Sequence, residues 1–492
     1  MKRPNLLALV SCLALSSIAV AEPPANTWAD RVTLSASDRV RGELVDFFEP
    51  RAGTAAAGAQ RYNFFANQLR VGAKVSAPGA FFVVDIQDTR LVNLPDDASL
   101  SRKNGGNLGT GAIYFANTHQ RDQGETFLKQ GYFTVTDFPG LSGTALTAGR
   151  FDYSDGLETT PADAALAWLK KARISERLVG PFNFTHVTRS FDGARLVYDT
   201  QSLNLTAIGT RPTQGGFEVS ANRELDAWLA GLAATLKQMP DWMPADARLF
   251  YLYYEDQRHS PTKADNRLTL TPAPAVDRKA IAIHTFGGHA IAVIDAGPGR
   301  VDGLLWGALQ SGDWGSLSHF GWAYAVETGY QLPKLFAAPW LRIGYDRSSG
   351  DADPYDKSHK TFFQILPTPR TYAQFPFYNL MNNEDLFAQL VLKPHSMVTI
   401  RTDYHWLRLT EPKDLWYSGG GATNNQFFGF QGLNSGGKRN LAHVAEMGVT
   451  IAPWKQLTAG AYYAHAFGQG VVKRDFAGTA ADYGFIELTA RY

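Results

Sequence analysis

Short segments in which apolar and polar residues alternate recur along most of this chain, separated in turn by very short turns and by long polar loops. Successive side chains of a strand point to opposite faces, so each segment offers one face to oil and the other to water. In RVRGELVDFF (39–48), Arg39, Arg41 and Glu43 share one parity, and Val40 and Leu44 the other. Leu69, Val71, Ala73 and Val75 then oppose Arg70, Gly72 and Lys74, and an Ala77-Pro78-Gly79 turn leads into FFVVDIQDT (81–89). In SMVTIRTDYHWLRL (396–409), Val398, Ile400, Tyr404 and Trp406 oppose Thr399, Arg401, Asp403 and His405. The last residues, ADYGFIELTARY, set Ile486, Leu488 and Tyr492 against Glu487 and Arg491. About 18 such segments of roughly ten residues imply an all-β fold, a transmembrane antiparallel β-barrel of even strand number with long extracellular loops.

Parity gives an independent check, because with both termini in the periplasm every second join should be short. The joins near 76–79, 138–142, 200–202, 394–395 and 453–455 are short, and those near 91–124, 153–188, 348–385 and 409–440 are long. The pattern is weakest over 210–300, where ELDAWLAGLAATLK (224–237) reads as strand or helix. There AIAIHTFGGHAIAVID (280–295) reads as one strand or as a hairpin at Gly287-Gly288. One loop carries a helix pattern: in TPADAALAWLKKARISERL (160–178), Thr160 is the expected N-cap, Pro161 the first helical position and Asp163 a first-turn acid. Ala165, Trp168, Leu169 and Ala172 would then face the barrel mouth.

The start of the chain, MKRPNLLALVSCLALSSIAVA, joins two cations to an apolar stretch and a small-residue cleavage site, so residues 1–21 are expected to be a secretory signal peptide and 22–492 a single barrel. Cleavage there removes Cys12, the only cysteine, and with it thiol catalysis, disulfides and cysteine-ligated metals. Without Lys2 and Arg3, 47 basic residues against 46 acidic become 45 against 46. Attraction for a charged partner must therefore come from arrangement in space, and no basic excess points to nucleic acid.

Charges are tolerated on a water-filled lumen face, whereas a lysine or arginine facing lipid at midplane costs about 2–4 kcal/mol. Parity assigns Arg39, Arg41, Arg70, Lys74, Arg195, Arg342 and Arg401 to the lumen, a candidate path for an anion. A planar, permanently charged guanidinium suits carboxylates. The acids Glu43, Asp85, Asp346, Asp403 and Glu487 share that face, so the lumen is mixed, and the simpler reading of each pair is wall stabilisation. The run Lys170, Lys171, Arg173 and Arg177 either guides a polyanion or complements a helix dipole, the second being preferred. Asp351, Asp353 and Asp356 are a weak calcium candidate that lacks the EF-hand glycine and distal glutamate, so a solvated acidic turn is preferred and no cofactor is expected. WYSGGGATNN (416–425) reads as a flexible loop, because no strand and helix flank it as in a phosphate cradle.

Several segments resemble the alginate export family of outer-membrane proteins: LTAGRFDY (146–153), ERLVGPFNFTHVTRSFDGARL (176–196), SGDADPYDKSHKTFFQILPTPRTY (349–372), PFYNLMNNEDLFAQLVL (376–392), and DYHWLRL with DLWY (403–417). The resemblance implies an 18-stranded barrel with an arginine-rich constriction through which a polyuronate passes passively, and loops that occlude its openings. Carried over by strand, it marks Arg70, Arg150, Arg195, Arg342 and Arg401 as pore residues, although the parity partners of Arg150, Leu146 and Ala148, look lipid-facing. The expected partners are outer-membrane lipid, the barrel assembly machinery reading the C-terminal strand, and an anionic oligo- or polysaccharide or a smaller anion. The alternatives are a general or substrate-specific porin for small solutes with structurally paired charges and, as a minor one, a barrel enzyme using His405 or His289. No serine has a spacing that predicts contact with either histidine.

Overall fold

The computed structural model describes residues 28–492 except 100–106, 238–242, 259–262, 273–274, 276, 367–373 and 419–431. The expected signal peptide with Cys12, and residues 419–425 of the glycine-rich loop, lie outside the described residues. Eighteen strands form the wall, from Val32–Asp46 to Ala480–Arg491, each antiparallel to the next. The last pairs with the first, Ser37–Asp46 against Asp482–Arg491, and two backbone hydrogen bonds tie Tyr492 to Ala36. Closure pairs every wall strand on both sides, which a backbone in hydrocarbon requires. Among the described residues no helix is long and apolar enough to cross a membrane.

The ambiguous stretch is entirely strand: Ala227–Leu236 and Ala245–Asp256 pair as neighbours, and Ile281–Ala296 runs unbroken through Gly287 and Gly288. Those glycines are not a turn. A Cβ at Gly287 would lie 2.5 Å from the Gly307 carbonyl oxygen and 2.4 Å from the Phe250 ring, so neighbours occupy the space a side chain would need. All joins at the end that carries the termini are short, the longest two being those between Leu236 and Ala245 and between Gln331 and Trp340. Those at the other end are long, except the hairpin between Trp314 and Leu317, which Gly315 closes at φ +63°.

Alternation sorts the wall into two faces as expected. Ile486 and Leu249 are 74% and 73% exposed, and Leu44, Val71, Phe82 and Leu341 join them on an outward apolar surface that only lipid accommodates. Arg41, Glu43, Arg342, Asp346 and Glu446 are buried on the inward face. Tyr492 is exposed beside the terminus-end turns, the position expected of a girdle residue.

Among the described residues three short α-helices lie in the loops: Thr110–Thr118, Ala164–Leu169 and Gly470–Asp475. Only the second was expected, and its start differs. Asp163, not Thr160, is the N-cap, accepting hydrogen bonds from the Ala165 and Leu166 amides at 3.0 Å each. Burial opposes ionisation of Asp163, but the Arg300 guanidinium and these two amides hold its pKa below the usual value. The Thr110–Thr118 helix has Gly109 at its N-cap and no side-chain cap, and is held by packing of Tyr114 on Phe64 and Phe217.

Candidate translocation site

The loop between the strands Leu141–Phe151 and Phe191–Asp199 does not project away from the barrel; it folds into the lumen as a plug. Its apolar residues Leu169, Ile174, Leu178, Val179, Phe182 and Phe184 are all buried. Phe182 is held in the left-handed region at φ +63°, with Glu176 and Thr188 likewise, a strained backbone that persists only where packing over-determines it. A second loop is stitched to the plug by paired backbone hydrogen bonds, Gly180 N to Leu366 O at 2.9 Å and Leu366 N to Leu178 O at 2.7 Å.

On one side the plug meets the first strands through its carbonyl groups. Arg39 donates to Asn183 O at 2.8 Å and also to Thr185 O, Arg41 to Phe184 O at 3.0 Å, and Gln68 to His186 O at 2.8 Å. Arg70 reaches the Thr188 hydroxyl at 3.1 Å and Gln87 at 2.7 Å. Burial, then the positive charges of Arg39 and Arg41, keep the pKa of His186 well below the usual value, so the imidazole is neutral. This side stays partly open, with the Arg39 and Arg70 side chains 13% and 22% exposed. Lys74 is exposed beside Phe81, and Arg195 is half-buried beside Phe151. Glu487, Asp152 and Asp85 are the partly exposed acids among them.

On the opposite side the plug meets the wall through charge. Arg173 Nε lies 2.9 Å from Glu327 Oε2, Arg177 Nη2 2.9 Å from Glu327 Oε1, and Arg177 Nη1 3.1 Å from Asp346 Oδ1. Arg342 completes the group, 3.1 Å from Glu327 and 3.0 Å from Asp302. Three guanidinium groups thus face three carboxylates, all of them buried. Nearby, Lys170 Nζ is 2.7 Å from Asp246, whose other oxygen meets His289 Nε2 at 2.8 Å. Burial lowers the pKa of Lys170 against the pull of Asp246.

Seven of the eight expected cations lie on the inward parity. Arg150 is the correction: it pairs in register with Gly131 and Asp192 on the parity of Leu146, Ala148 and the exposed Phe133, so it faces outward. Asp192 and Asn222 satisfy it there, which makes an outward arginine affordable near the loop end of its strand. The acids Glu43, Asp85, Asp346, Asp403 and Glu487 are inward: Glu43 and Glu487 bind Arg41, and Asp85 accepts from Gln130 at 2.7 Å. The plug cations Lys170, Arg173 and Arg177 neutralise wall carboxylates, while Lys171 and Arg173 also stand in the last helical turn and Arg177 donates to the Arg173 carbonyl at 2.6 Å. Sequence reasoning missed Arg248 and Asp246, whose signal was the same alternating parity, and Lys129, which a β-bulge turns inward; all three are buried inside.

Asp351, Asp353 and Asp356 are not gathered as a ligand set. Asp351 accepts from the Asp353 and Lys360 amides, Asp353 from the Tyr355 amide and Asp356 from the Ser358 amide and Lys360 Nζ. Among the described residues the donor atoms of Asp403, His405 and Glu446 do converge, within 4.8 Å of one another. The Arg401 guanidinium sits on that set, 2.7 Å from Asp403 and 3.0 Å from Glu446, and already supplies positive charge. Asp385 holds the other face of His405 at 2.8 Å.

Comparison with solved structures finds barrels of the same fold, an outer membrane protein and a BenF-like porin among them. Pseudomonas aeruginosa OccK9 is similar at a TM-score of 0.57 and 12% identity, over 95% of this chain and 99% of that one. Acinetobacter baumannii OccAB2 gives 0.57 and 11% over 95% and 99%. Pseudomonas aeruginosa OccK2, solved in complex with glucuronate, gives 0.55 and 9% over 94% and 98%. At these identities the likeness is one of fold. Comparison with curated proteins gives no match. A family model described as alginate export matches residues 31–473, nearly the whole barrel and its plug. The chain therefore belongs to the alginate export family of outer-membrane barrel channels.

Proposed function

We propose that this channel passes a carboxylate-bearing anion of uronate type, a single sugar acid or a thin polyuronate chain, along the partly open side of its lumen. The observation that carries this reading is the plug's asymmetry. Its cations Lys170, Arg173 and Arg177 are paired with wall acids on one side, while on the other the wall cations Arg39, Arg70, Lys74 and Arg195 keep solvent access. Several weak guanidinium contacts in series let a carboxylate enter and leave, as conduction requires. The glucuronate bound by OccK2 supports the same solute class by analogy of fold.

Planar-bilayer recording tests it: reversal potentials in a salt gradient should show anion preference, glucuronate should permeate, and an oligouronate should block. Arg70→Ala with Arg195→Ala should shift the reversal potential toward zero; an unchanged value overturns the proposal. A second reading, a general porin with structural charges, is favoured at Arg41 and Arg342 by their full burial in ion pairs.

A further inference from the structure

The outward face of the barrel carries a cluster of three cations on one anion that the channel does not use. Glu384, Arg347 and Arg408 stand level on adjacent strands at the loop end, Arg347 and Arg408 both in register with Glu384. Their parity is outward, shared with the exposed Leu341, Ile343, Leu386 and Tyr404. Glu384 Oε1 lies 3.1 Å from Arg347 Nε and 2.9 Å from Arg439 Nη2, and Oε2 lies 3.0 Å from Arg408 Nη2. The glutamate is buried beneath them, whereas the three arginine side chains remain 33%, 44% and 30% exposed for Arg347, Arg439 and Arg408. Elsewhere outward arginines near the loop end meet at least one acid each: Arg61 with Asp46, Arg90 with Asp88, Arg121 with Asp96, and Arg211 with both Glu224 and Asp226. Three guanidinium groups sharing one carboxylate leave a formal excess of two positive charges here.

The surroundings say what meets that charge. Arg347 lies over the Trp322 ring at 5.7 Å and Arg408 over the Trp406 ring at 4.6 Å, with Trp322 stacked on Tyr324. Tryptophan and tyrosine on the outward face mark the interface between headgroups and hydrocarbon. Cations just beyond that belt, above an apolar surface, face the headgroups of the outer leaflet. Guanidinium forks match phosphate oxygens in pairs. We infer that Arg347, Arg408 and Arg439, held together by Glu384, bind a phosphate group of an outer-leaflet lipid, whose acyl chains lie along Ile343, Leu386 and Tyr404. The site is independent of what passes through the lumen.

Purified full-length barrel in detergent, stripped of lipid, is titrated with bis-phosphorylated lipid A and with its dephosphorylated form, and binding is read by native mass spectrometry. The phosphorylated lipid should bind at one copy per barrel and at least tenfold more tightly than the dephosphorylated one. Inorganic phosphate at the same concentration should not compete. Replacing all three arginines by glutamine should erase the preference, with heat-dependent gel mobility confirming a folded barrel. Glu384→Gln keeps every arginine and a side-chain oxygen on the same stem around which they gather, while removing the competing negative charge, so it should tighten binding several-fold. Equal binding of the two lipids, competition by inorganic phosphate, or weaker binding by Glu384→Gln overturns the inference.

Discussion

Arg342 and Arg70 are alike in sequence, each an arginine on the inward parity of a wall strand, yet they end in opposite surroundings. Arg342 is sealed under the plug between Glu327 and Asp302, while Arg70 keeps a fifth of its side chain in contact with solvent. Parity determined which way both point; the plug determined which of them a solute can touch. An arginine-rich lumen is therefore two things at once here, an ionic seal on one side and a candidate path on the other. The seal is built from long-range pairs, Arg173 with Glu327 being 154 residues apart.

The seal gives the largest expected effect. Glu327→Ala strands Arg173, Arg177 and Arg342 in a dry site with one carboxylate fewer than they need. Breaking a buried pair by removing one partner costs about 3–5 kcal/mol. The barrel wall should survive and the plug should loosen, seen as higher single-channel conductance and as protease cleavage within 160–178 at concentrations that leave the parent intact. Unchanged conductance and unchanged cleavage would show that packing of Phe182 and Leu178, not charge, holds the plug.

A second effect comes from the loops that cover the lumen. Asp414 is buried, and burial pushes its carboxyl up to about 7, although Thr361, the Asp351 and Leu415 amides and Tyr417 all donate to it and oppose the shift. An unfolded aspartate titrates near ~3.9. Between those values the ordered loops keep a proton that the disordered loops have lost, so the stabilisation is complete below about 4, declines as pH rises to about 7, and is level above. Proteolysis of the loops 349–383 and 409–439 should accelerate from pH 5 to pH 8, and Asp414→Asn should flatten that slope. A parent protein equally resistant at both pH values removes Asp414 from any account of gating.

How far the sequence reaches follows from the same contrast. Alternation was enough to place Arg41, Glu43 and Glu487 together on the inward face, and to make ADYGFIELTARY the strand that closes the wall, because period-two patterning and lipid on one side leave one register. It also placed Leu146 and Ala148 outward, and with them Arg150, where parity was the better guide than the family pattern. The plug was legible only as a helical segment at the mouth. That Arg177 reaches Asp346, or that Asp163 rather than Thr160 caps the helix, depends on contacts with distant strands: Arg300 also binds Asp163. The Thr110–Thr118 helix gave no signal, since TGAIYFANT has neither a capping side chain nor a charged face.

On the open side the expected effects are smaller and concern selectivity. Arg70→Ala with Arg195→Ala removes partly solvated charges, so stability should change by about 1 kcal/mol or less, while the anion-to-cation permeability ratio should fall several-fold. A fall in stability matching Glu327→Ala would mean that the two sides are not distinct after all.

Lys74 sharpens the comparison at its weakest point. It lies on the same inward parity as Arg70 but is exposed near the terminus-end mouth, its ammonium 4.2 Å from the Phe81 ring centroid. Water screens a charge there, with a Debye length of about 8 Å at 0.15 M salt and about 3 Å at 1 M. Lys74→Ala should therefore lower anion preference slightly at low salt and not at all at 1 M, whereas the loss in the Arg70 and Arg195 variant should persist at 1 M because both side chains are less exposed than Lys74 and Arg70 touches the plug at Thr188. Salt dependence alone then separates a charge that attracts anions into the mouth from charges that touch them on the way through. If both variants lost their effect at 1 M, the open side would act only as an electrostatic funnel, and the contact series proposed for Arg39, Arg70 and Arg195 would have no support.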